Sequence, residues 1–258
     1  MNNIERIKIY DETKKISKIK LQNISESIKY KRLNIKLTPK FNKTIINVIN
    51  EDTINAALKL KQKGLNPLLL NMSDWFIPGG LVELGYGTQE ENIFRRSNYF
   101  LTLTQKFYPL YNIETIYSPN VAIFRKDEFT GYEFMKRRQN ISIIASPAIN
   151  GPKTDYNITN YTDKHQIKQT KDKIKMMFKI AYQNNHDSLV LSAWGCGAFK
   201  NPPQAMAQLF KEVIEEYNGC FKEIVFSILQ MNKTSWHPLM TSNQKPNNIE
   251  IFKNILSI

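Results

Sequence analysis

The chain has 258 residues and carries 36 lysines and arginines against 23 aspartates and glutamates, a formal net charge of +13 at pH 7. That length can bury a core without cross-links, and two cysteines, Cys196 and Cys220, are too few for a disulfide framework. The start of the chain has no apolar leader pattern and no later apolar run could cross a bilayer. We therefore expect a soluble intracellular protein, in the cytoplasm or the nucleus, that does not contact a membrane.

The positive charge is concentrated near the N-terminus. Residues 1–45 contain 12 lysines and arginines and 4 aspartates and glutamates, a net charge of +8. A basic surface of this kind predicts a polyanionic partner, either nucleic acid or a phosphate-rich polymer. The alternative is codon bias, because lysine, asparagine and isoleucine are abundant throughout the chain. Both interpretations stay open at this point.

The hydrophobic pattern predicts strands that alternate with helices in a single domain, residues 1–258, onto which a basic extension, residues 1–43, packs. In chain order we predict a helix over 4–20, a strand at 45–49, a helix from 54 to 64, a strand at 67–72, a helix from about 89 to 104, strands at 117–125 and 141–145, a helix from about 167 to 182, a strand at 189–192, a helix after 202–203, a strand at 224–229 and a short helix within 243–258. This alternation favours an α/β fold, with a mixed, largely parallel sheet covered by helices on both faces.

The stretch from Pro67 to Thr104 carries the strongest functional signal. The apolar run Leu68–Leu70 leads into Pro78-Gly79-Gly80, where glycines allow a sharp bend and close approach to a ligand. A second flexible segment, Gly85-Tyr86-Gly87, ends at Gln89-Glu90-Glu91 and the start of a helix. Acidic residues at a helix start are often ordinary, since they favour the helix dipole. The glycines before them instead favour a small-molecule site in which the two carboxylates have different roles and a buried one acts as a general acid.

A second strand-to-helix junction, Trp194 to Phe199, has the same character. Gly195 and Gly197 allow main-chain N–H groups to point at an anion such as a diphosphate, and Phe199 offers a ring face to a sugar or a base. A tight turn that needs glycines only for packing is the alternative. Cys196 lies in this turn with no histidine nearby in sequence, so we interpret it as an inert small residue rather than a nucleophile. The histidines, His165, His186 and His237, are scattered, and no metal site is predicted.

Taken together, these segments resemble the microbial-type poly(ADP-ribose) glycohydrolases. Pro78-Gly79-Gly80-Leu81 followed after seven residues by Gln89-Glu90-Glu91 is similar to the family signature, in which three glycines precede Gln-Glu-Glu by six to eight residues. The segments 48–53, 91–97, 117–121 and 193–199 match the family in the same order, so the resemblance extends from about residue 6 to residue 229.

The resemblance implies a macrodomain fold, a three-layer α/β/α sandwich that binds ADP-ribose. It implies hydrolysis of the ribose–ribose O-glycosidic bonds of poly(ADP-ribose) without metal or cofactor. Glu91 would be the catalytic acid, which protonates the leaving ribose oxygen as an oxocarbenium-like centre forms and then helps to activate water. Glu90 would accept hydrogen bonds from ribose hydroxyls at the scission site.

The resemblance also implies a set of binding residues. Gly79 and Gly80 would let the loop wrap the diphosphate, Asp52 would accept from the adenine amino group, and Phe199 would pack on a ribose. The remaining substrate contacts are assigned to Asn71, Asp74 and Gln89 from the first loop region and to Gly195, Cys196, Gly197 and Ala198 from the second.

Two residues depart from the family pattern. Leu81 replaces the third signature glycine, and its Cβ is expected to narrow the loop or to forbid a positive φ. Asp74 stands where many relatives have asparagine or serine, so its charge is expected to weaken diphosphate binding or to mark another substrate. Leu81 motivates an alternative function, a non-hydrolytic ADP-ribose reader. Hydrolysis of mono-ADP-ribosylated protein or nucleic acid is a further alternative, and a monomer is expected.

Overall fold

A computed structural model of the chain describes residues 1–230 and 247–256. The strands are β1 (Ile28–Tyr30), β2 (Ile45–Ile49), β3 (Pro67–Asn71), β4 (Thr115–Arg125), β5 (Phe134–Ala145), β6 (Ser188–Leu191) and β7 (Glu223–Ser227). The helices are α1 (Asn3–Lys20), α2 (Thr53–Gln62), α3 (Gln89–Arg96), α4 (Tyr99–Thr102), α5 (Lys164–Gln183), α6 (Pro203–Glu216) and α7 (Asn248–Leu256). His237, and those parts of the predicted C-terminal helix that fall at 243–246 and 257–258, lie outside the described residues.

The strands form one sheet in the order β1-β4-β5-β3-β6-β7-β2. From β5 to β2 every neighbouring pair is parallel, whereas β4 is antiparallel to β5 and β1 is antiparallel to β4. The predicted mixed, largely parallel sheet is therefore confirmed. The carboxyl ends of β5, β3 and β6 lie side by side, which is where ligands bind in open α/β sheets.

Central strand β3 shows why the fold has three layers. All five of its residues are buried, and successive side chains point to opposite faces. Leu68 and Leu70 pack into the core with α5, α6 and α7, while Leu69 packs into the core with α2 and α3. A strand buried on both faces is apolar throughout, as the sequence 68–70 predicted.

The N-terminal helix forms as predicted, and most of its buried residues are polar. The apolar residues Ile4 and Ile19 are 66% and 67% exposed, whereas Arg6, Tyr10, Thr13 and Ser17 are buried. These four positions recur at helical spacing, so one stripe of α1 faces the protein. Within that stripe Thr13 donates to the carbonyl of Arg95 at 2.7 Å, and Tyr10 packs against the ring of Phe94.

The prediction of one helix from 89 to 104 is wrong. Helix α3 ends at Arg96, and Ser97 is extended at φ −148°. Before α4 begins, the side chain of Asn98 donates to the carbonyl of Leu21 and accepts from the N–H of Ala122. Ser97 pairs with Ile123 of β4 in an isolated bridge, so a strand contact replaces the helical turn there. Strand β5 is also longer than predicted, since it begins at Phe134.

The β4–β5 hairpin reaches the helices beside it. Lys61 of α2 donates to the carbonyl of Asn140, and Asn55 at the start of α2 donates to Asp127 at the hairpin tip at 2.7 Å. The tip also contacts α1 through Glu128. Within residues 1–230 and 247–256, no helix is both long enough and apolar enough to cross a membrane.

Candidate active site

Glu90 and Glu91 begin α3, directly beyond the glycine-rich loop that follows β3. Both are almost fully buried, at 3% and 4% exposure. A Cβ built on Gly80 would lie 2.8 Å from Oε1 of Glu91 and 3.3 Å from Oε2 of Glu90. The two carboxylates therefore converge on the backbone of Gly80, from neighbouring positions on one helix.

The two carboxylates have different hydrogen-bond partners, as expected for two different roles. Glu90 accepts from the side-chain amide of Asn71 at 3.1 Å and from the main-chain N–H groups of Asp74 at 2.7 Å and Gly79 at 3.1 Å. Glu91 accepts from the N–H of Leu81 at 3.1 Å and from the hydroxyl of Thr88. Glu90 thus accepts from the end of β3 and from the loop, whereas Glu91 accepts from two loop residues, Leu81 and Thr88.

Burial dominates the electrostatics of Glu90. Loss of solvent raises its pKa to about 8, and the charge of Glu91 adds to the effect, although hydrogen bonds from Asp74, Asn71 and Gly79 oppose it. Tyr99 and Tyr108 lie near Glu90, and burial also raises the pKa of both phenols. Glu90 therefore sits in an environment that favours the neutral carboxyl.

The folded-state pKa of Glu90 predicts a specific pH dependence of stability. Because this pKa is raised from 4.5 to about 8, the folded state holds a proton that the unfolded state releases. The resulting stabilisation is complete below about pH 4.5 and is lost as the pH rises through about 8. The free energy of unfolding of wild type minus that of Glu90→Gln should therefore fall as the pH is raised from about 5 to 8, by up to about 1.4 kcal/mol per pH unit, and level off above about pH 8.

Urea titrations at several pH values measure this difference. Glu83→Gln, at a residue whose side chain is 64% exposed on the same loop, is the matched control for neutralising a carboxylate. A difference between wild type and Glu90→Gln that stays constant over the pH range would contradict the raised pKa.

Gly79 and Gly80 are required by the geometry of the loop. Both have positive φ, +80° and +54°, and a Cβ on Gly79 would lie 2.7 Å from the ring of Phe94. Leu81 has φ −102°, an ordinary value for a residue with a Cβ, and its side chain is 40% exposed. Leu81 thus adopts an ordinary backbone conformation, and the expected narrowing of the loop by its Cβ stays a prediction.

Three residues assigned to substrate contacts also have structural roles. Asp74 accepts from the N–H groups of Phe76 at 2.6 Å and Ile77 at 3.0 Å, which fixes the turn of the loop. Gln89 accepts from the N–H of Met72 and donates to the carbonyl of Leu70, so it joins α3 to the end of β3. Asn71 is fully buried beneath Glu90.

Asp52 lies at the start of α2 and is deeply engaged inside the protein. Its Oδ1 accepts from the N–H of Asn55 at 3.0 Å and from the guanidinium of Arg96, and its Oδ2 accepts from Asn92 at 2.9 Å. Asp52 is therefore the N-cap residue of α2. Arg96 is fully buried, so this ion pair orients the carboxylate firmly.

The second glycine turn follows β6, which is adjacent and parallel to β3. Gly195 has φ +71°, and a Cβ there would lie 2.4 Å from the Cβ of Ala148. Gly197 and Ala198 are exposed and Phe199 is half-buried, whereas Cys196 is buried and burial raises the pKa of its thiol far above the usual range. The burial of this thiol agrees with the interpretation of Cys196 as an inert small residue.

Comparison with known proteins agrees with this geometry. Residues 3–126 match the family model described as "Microbial-type PARG, catalytic domain". A poly(ADP-ribose) glycohydrolase structure from Thermomonospora curvata matches with a TM-score of 0.79 at 23% identity, covering 97% of this chain and 98% of that one. A glycohydrolase structure from Deinococcus radiodurans in complex with ADP-ribose matches with a TM-score of 0.66 at 28% identity, covering 84% of this chain and 86% of that one. No curated protein sequence is significantly similar to the chain.

The resemblance to the microbial-type poly(ADP-ribose) glycohydrolases is confirmed. So is the α/β fold of that family, with its seven-stranded mixed sheet, covering helices and N-terminal helix. The individual site residues carried over from the family stay predictions, and the structure gives their positions.

Two residues that shape this glycohydrolase-like site were missed from the sequence. Thr88, the N-cap residue of α3, donates its hydroxyl to Glu91. Asn201 is buried beneath the second glycine turn, where its amide donates to the carbonyls of Ile149 at 2.8 Å and Gly195 at 3.1 Å and its oxygen accepts from Tyr161. The position of Thr88 just before the start of the helix that carries the acidic pair could have been recognised from the sequence. Nothing in the sequence marks the hydrogen-bond partners of Asn201.

Proposed function

We propose that this protein hydrolyses the ribose–ribose O-glycosidic bonds of poly(ADP-ribose) and releases ADP-ribose. The observation that carries the proposal is the pair of buried carboxylates that converge on Gly80 beneath a glycine loop. The match of residues 3–126 to the family model of the microbial-type PARG catalytic domain supports it, as does the similar Deinococcus radiodurans structure in complex with ADP-ribose.

In this proposal Glu91 gives its proton to the leaving ribose oxygen while positive charge develops on the sugar, and it then assists the attack of water. General acid catalysis of this type needs a carboxyl held within hydrogen-bond reach of the reacting oxygen. The N–H of Leu81 and the hydroxyl of Thr88 fix the orientation of Glu91. Glu90 contacts ribose hydroxyls at the scission site, and its surrounding donors hold it in one rotamer.

The remaining carried-over residues are proposed to bind the rest of the ADP-ribose unit. The exposed residues Gly197 and Ala198, with Gly195, would donate main-chain N–H groups to the diphosphate, and Phe199 would pack on a ribose. The N–H of Cys196 already donates to the carbonyl of Ala193 at 3.1 Å, so Cys196 would line the site without that donor. The Oδ2 atom of Asp52 accepts one hydrogen bond, from Asn92. Its second lone pair would accept a hydrogen bond from the adenine amino group. Asn71, Asp74 and Gln89 support the loop from which these contacts are made.

The direct test is release of free ADP-ribose from poly(ADP-ribose), measured with the purified wild-type chain. Turnover with the expected dependence on Glu91 supports the glycohydrolase. Binding of ADP-ribose in calorimetry with no turnover of poly(ADP-ribose) or of mono-ADP-ribosylated protein or nucleic acid would instead indicate a reader. The backbone at Leu81 gives no reason to favour the reader, because its φ suits a leucine.

A polyanion-binding surface is supported by one further observation. Lys136, Arg137 and Arg138 are consecutive exposed residues of β5, and none of them forms an ion pair with another residue in 1–230 or 247–256. We propose that this basic segment binds nucleic acid or the distal part of a poly(ADP-ribose) chain, with the protein acting as a monomer.

Replacing all three basic residues by glutamine should weaken binding of single-stranded nucleic acid or poly(ADP-ribose) about uniformly across sequences. The magnitude of the negative slope of log K, the binding constant, against log salt concentration should decrease by about 0.7 for each phosphate contact that is lost. Fluorescence anisotropy at several salt concentrations, with saturating ADP-ribose present, measures the slope. An unchanged slope would exclude this segment as the polyanion contact.

A further inference from the structure

The glycine segment Gly85-Tyr86-Gly87 is held from beneath by the N-terminal helix. Gly85 has φ +76°, and a Cβ there would lie 2.3 Å from the main-chain oxygen of Asn3. A Cβ on Gly87 would lie 2.6 to 2.8 Å from three atoms of the Arg6 guanidinium. These two glycines are therefore explained by the close approach of α1 as well as by loop flexibility.

Arg6 is held in place on several sides. Its guanidinium binds Glu128 at the hairpin tip through Nη2 at 2.7 Å and Nε at 3.1 Å, and its Nη1 donates to the carbonyl of Gly85 at 3.4 Å. The residue is 8% exposed. Fully buried Arg95 completes the support, because it donates to the carbonyls of Arg6 and Tyr86. A guanidinium anchored in this way has a fixed position and limits the space available at Gly87.

The segment above Arg6 leads directly to the proposed acid. Thr88 follows Gly87 and donates its hydroxyl to Glu91. The N–H of Tyr86 donates to the carbonyl of Leu81 at 3.4 Å, and the N–H of Leu81 donates to Glu91 at 3.1 Å. Both hydrogen bonds that orient Glu91 thus come from residues joined to Gly85-Tyr86-Gly87.

We propose that Arg6 is a positioning residue for catalysis, which sets the orientation of Glu91 through Gly87 and Thr88. This inference rests on the proposed glycohydrolase function. It assigns the N-terminal helix a part in the active site, in addition to any contribution of its charge. Arg6 touches no substrate in this account, so its loss should affect the chemical step more than the binding of ADP-ribose.

The test compares Arg6→Ala, Gly87→Ala and the double variant with wild type, using Lys8→Ala on the exposed face of α1 as the matched control. We expect each single variant to lower kcat for poly(ADP-ribose) by about 10- to 100-fold, while KM and the Kd for ADP-ribose change less than about threefold. Lys8→Ala should keep the wild-type kcat. In the double variant the added methyl group no longer meets a guanidinium, so kcat should resemble that of Arg6→Ala alone and not the product of the two losses.

Gly87→Ala keeps the proposal testable if Arg6→Ala fails to fold, because it leaves the Arg6 side chain in the protein. An unchanged kcat for Gly87→Ala, or losses that multiply in the double variant, would overturn the role of Arg6. Loss of ADP-ribose affinity with kcat retained would also overturn it. If wild type itself releases no ADP-ribose from the polymer, the proposed function fails instead, which distinguishes the two failures.

Discussion

Glu91→Gln should lower the rate of ADP-ribose release from poly(ADP-ribose) by about 10²- to 10⁴-fold, the usual contribution of a general acid or base. Glutamine keeps the shape of the side chain and can still accept from the N–H of Leu81, but it has no proton to give to a leaving oxygen. The effect corresponds to about 3 to 5 kcal/mol of transition-state stabilisation. Affinity for ADP-ribose should change little, because the product no longer contains the bond that Glu91 would protonate.

Initial rates and calorimetry on the same preparations separate these two quantities. Glu83→Gln is the matched control, since Glu83 lies on the same loop but is exposed and pairs with Lys14 at 2.9 Å. It should keep the wild-type rate within about twofold, as surface ion pairs contribute little. Equal rates for wild type and Glu91→Gln would exclude Glu91 as the acid. If Glu90→Gln then showed a large loss of rate, Glu90 would be assigned that role instead.

The sequence predicted the main features of the candidate site because their signals are local. The strand 68–70 is apolar on both faces, the two glycine turns follow neighbouring strands, and the acidic pair starts a helix. Each of these features follows from backbone rules that act over a few residues. Their meeting at one edge of the sheet follows from the parallel pairing of β3 with β6.

The role of α1 could not be predicted in this way. In the sequence, Arg6 belongs to a lysine-rich segment that is typical of a solvated helix face, and Ile4 and Ile19 are apolar residues of the same segment. In the structure those isoleucines are exposed and Arg6 is buried against Glu128, which lies 122 residues further along the chain. A contact over that separation leaves no periodic pattern. Leu81 illustrates the same limit, because its φ depends on the whole path of the loop and not on the neighbouring glycines.

Gly80→Ala should cause a loss of activity comparable to that of Glu91→Gln, without removing any functional group. The new Cβ would lie 2.8 Å from Oε1 of Glu91 and 3.3 Å from Oε2 of Glu90, on a backbone with φ +54°. Neither carboxylate can retreat easily, since Glu90 accepts three hydrogen bonds and Glu91 accepts two. The methyl group must therefore displace the acid, the loop or both, and a shift of about 1 Å costs about 10²-fold in rate.

Gly64→Ala separates this clash from the ordinary cost of a positive φ. Gly64 has φ +78° at the end of α2, and a Cβ there would meet nothing within 4 Å. Both variants should lose about 1 to 2 kcal/mol of stability from placing a Cβ in the left-handed region, but only Gly80→Ala should lose activity. Thermal unfolding and kcat measured on both variants give the comparison. Full activity in Gly80→Ala would contradict this prediction. It would show that the positions of the two carboxylates around Gly80 are not those from which they act in the reaction.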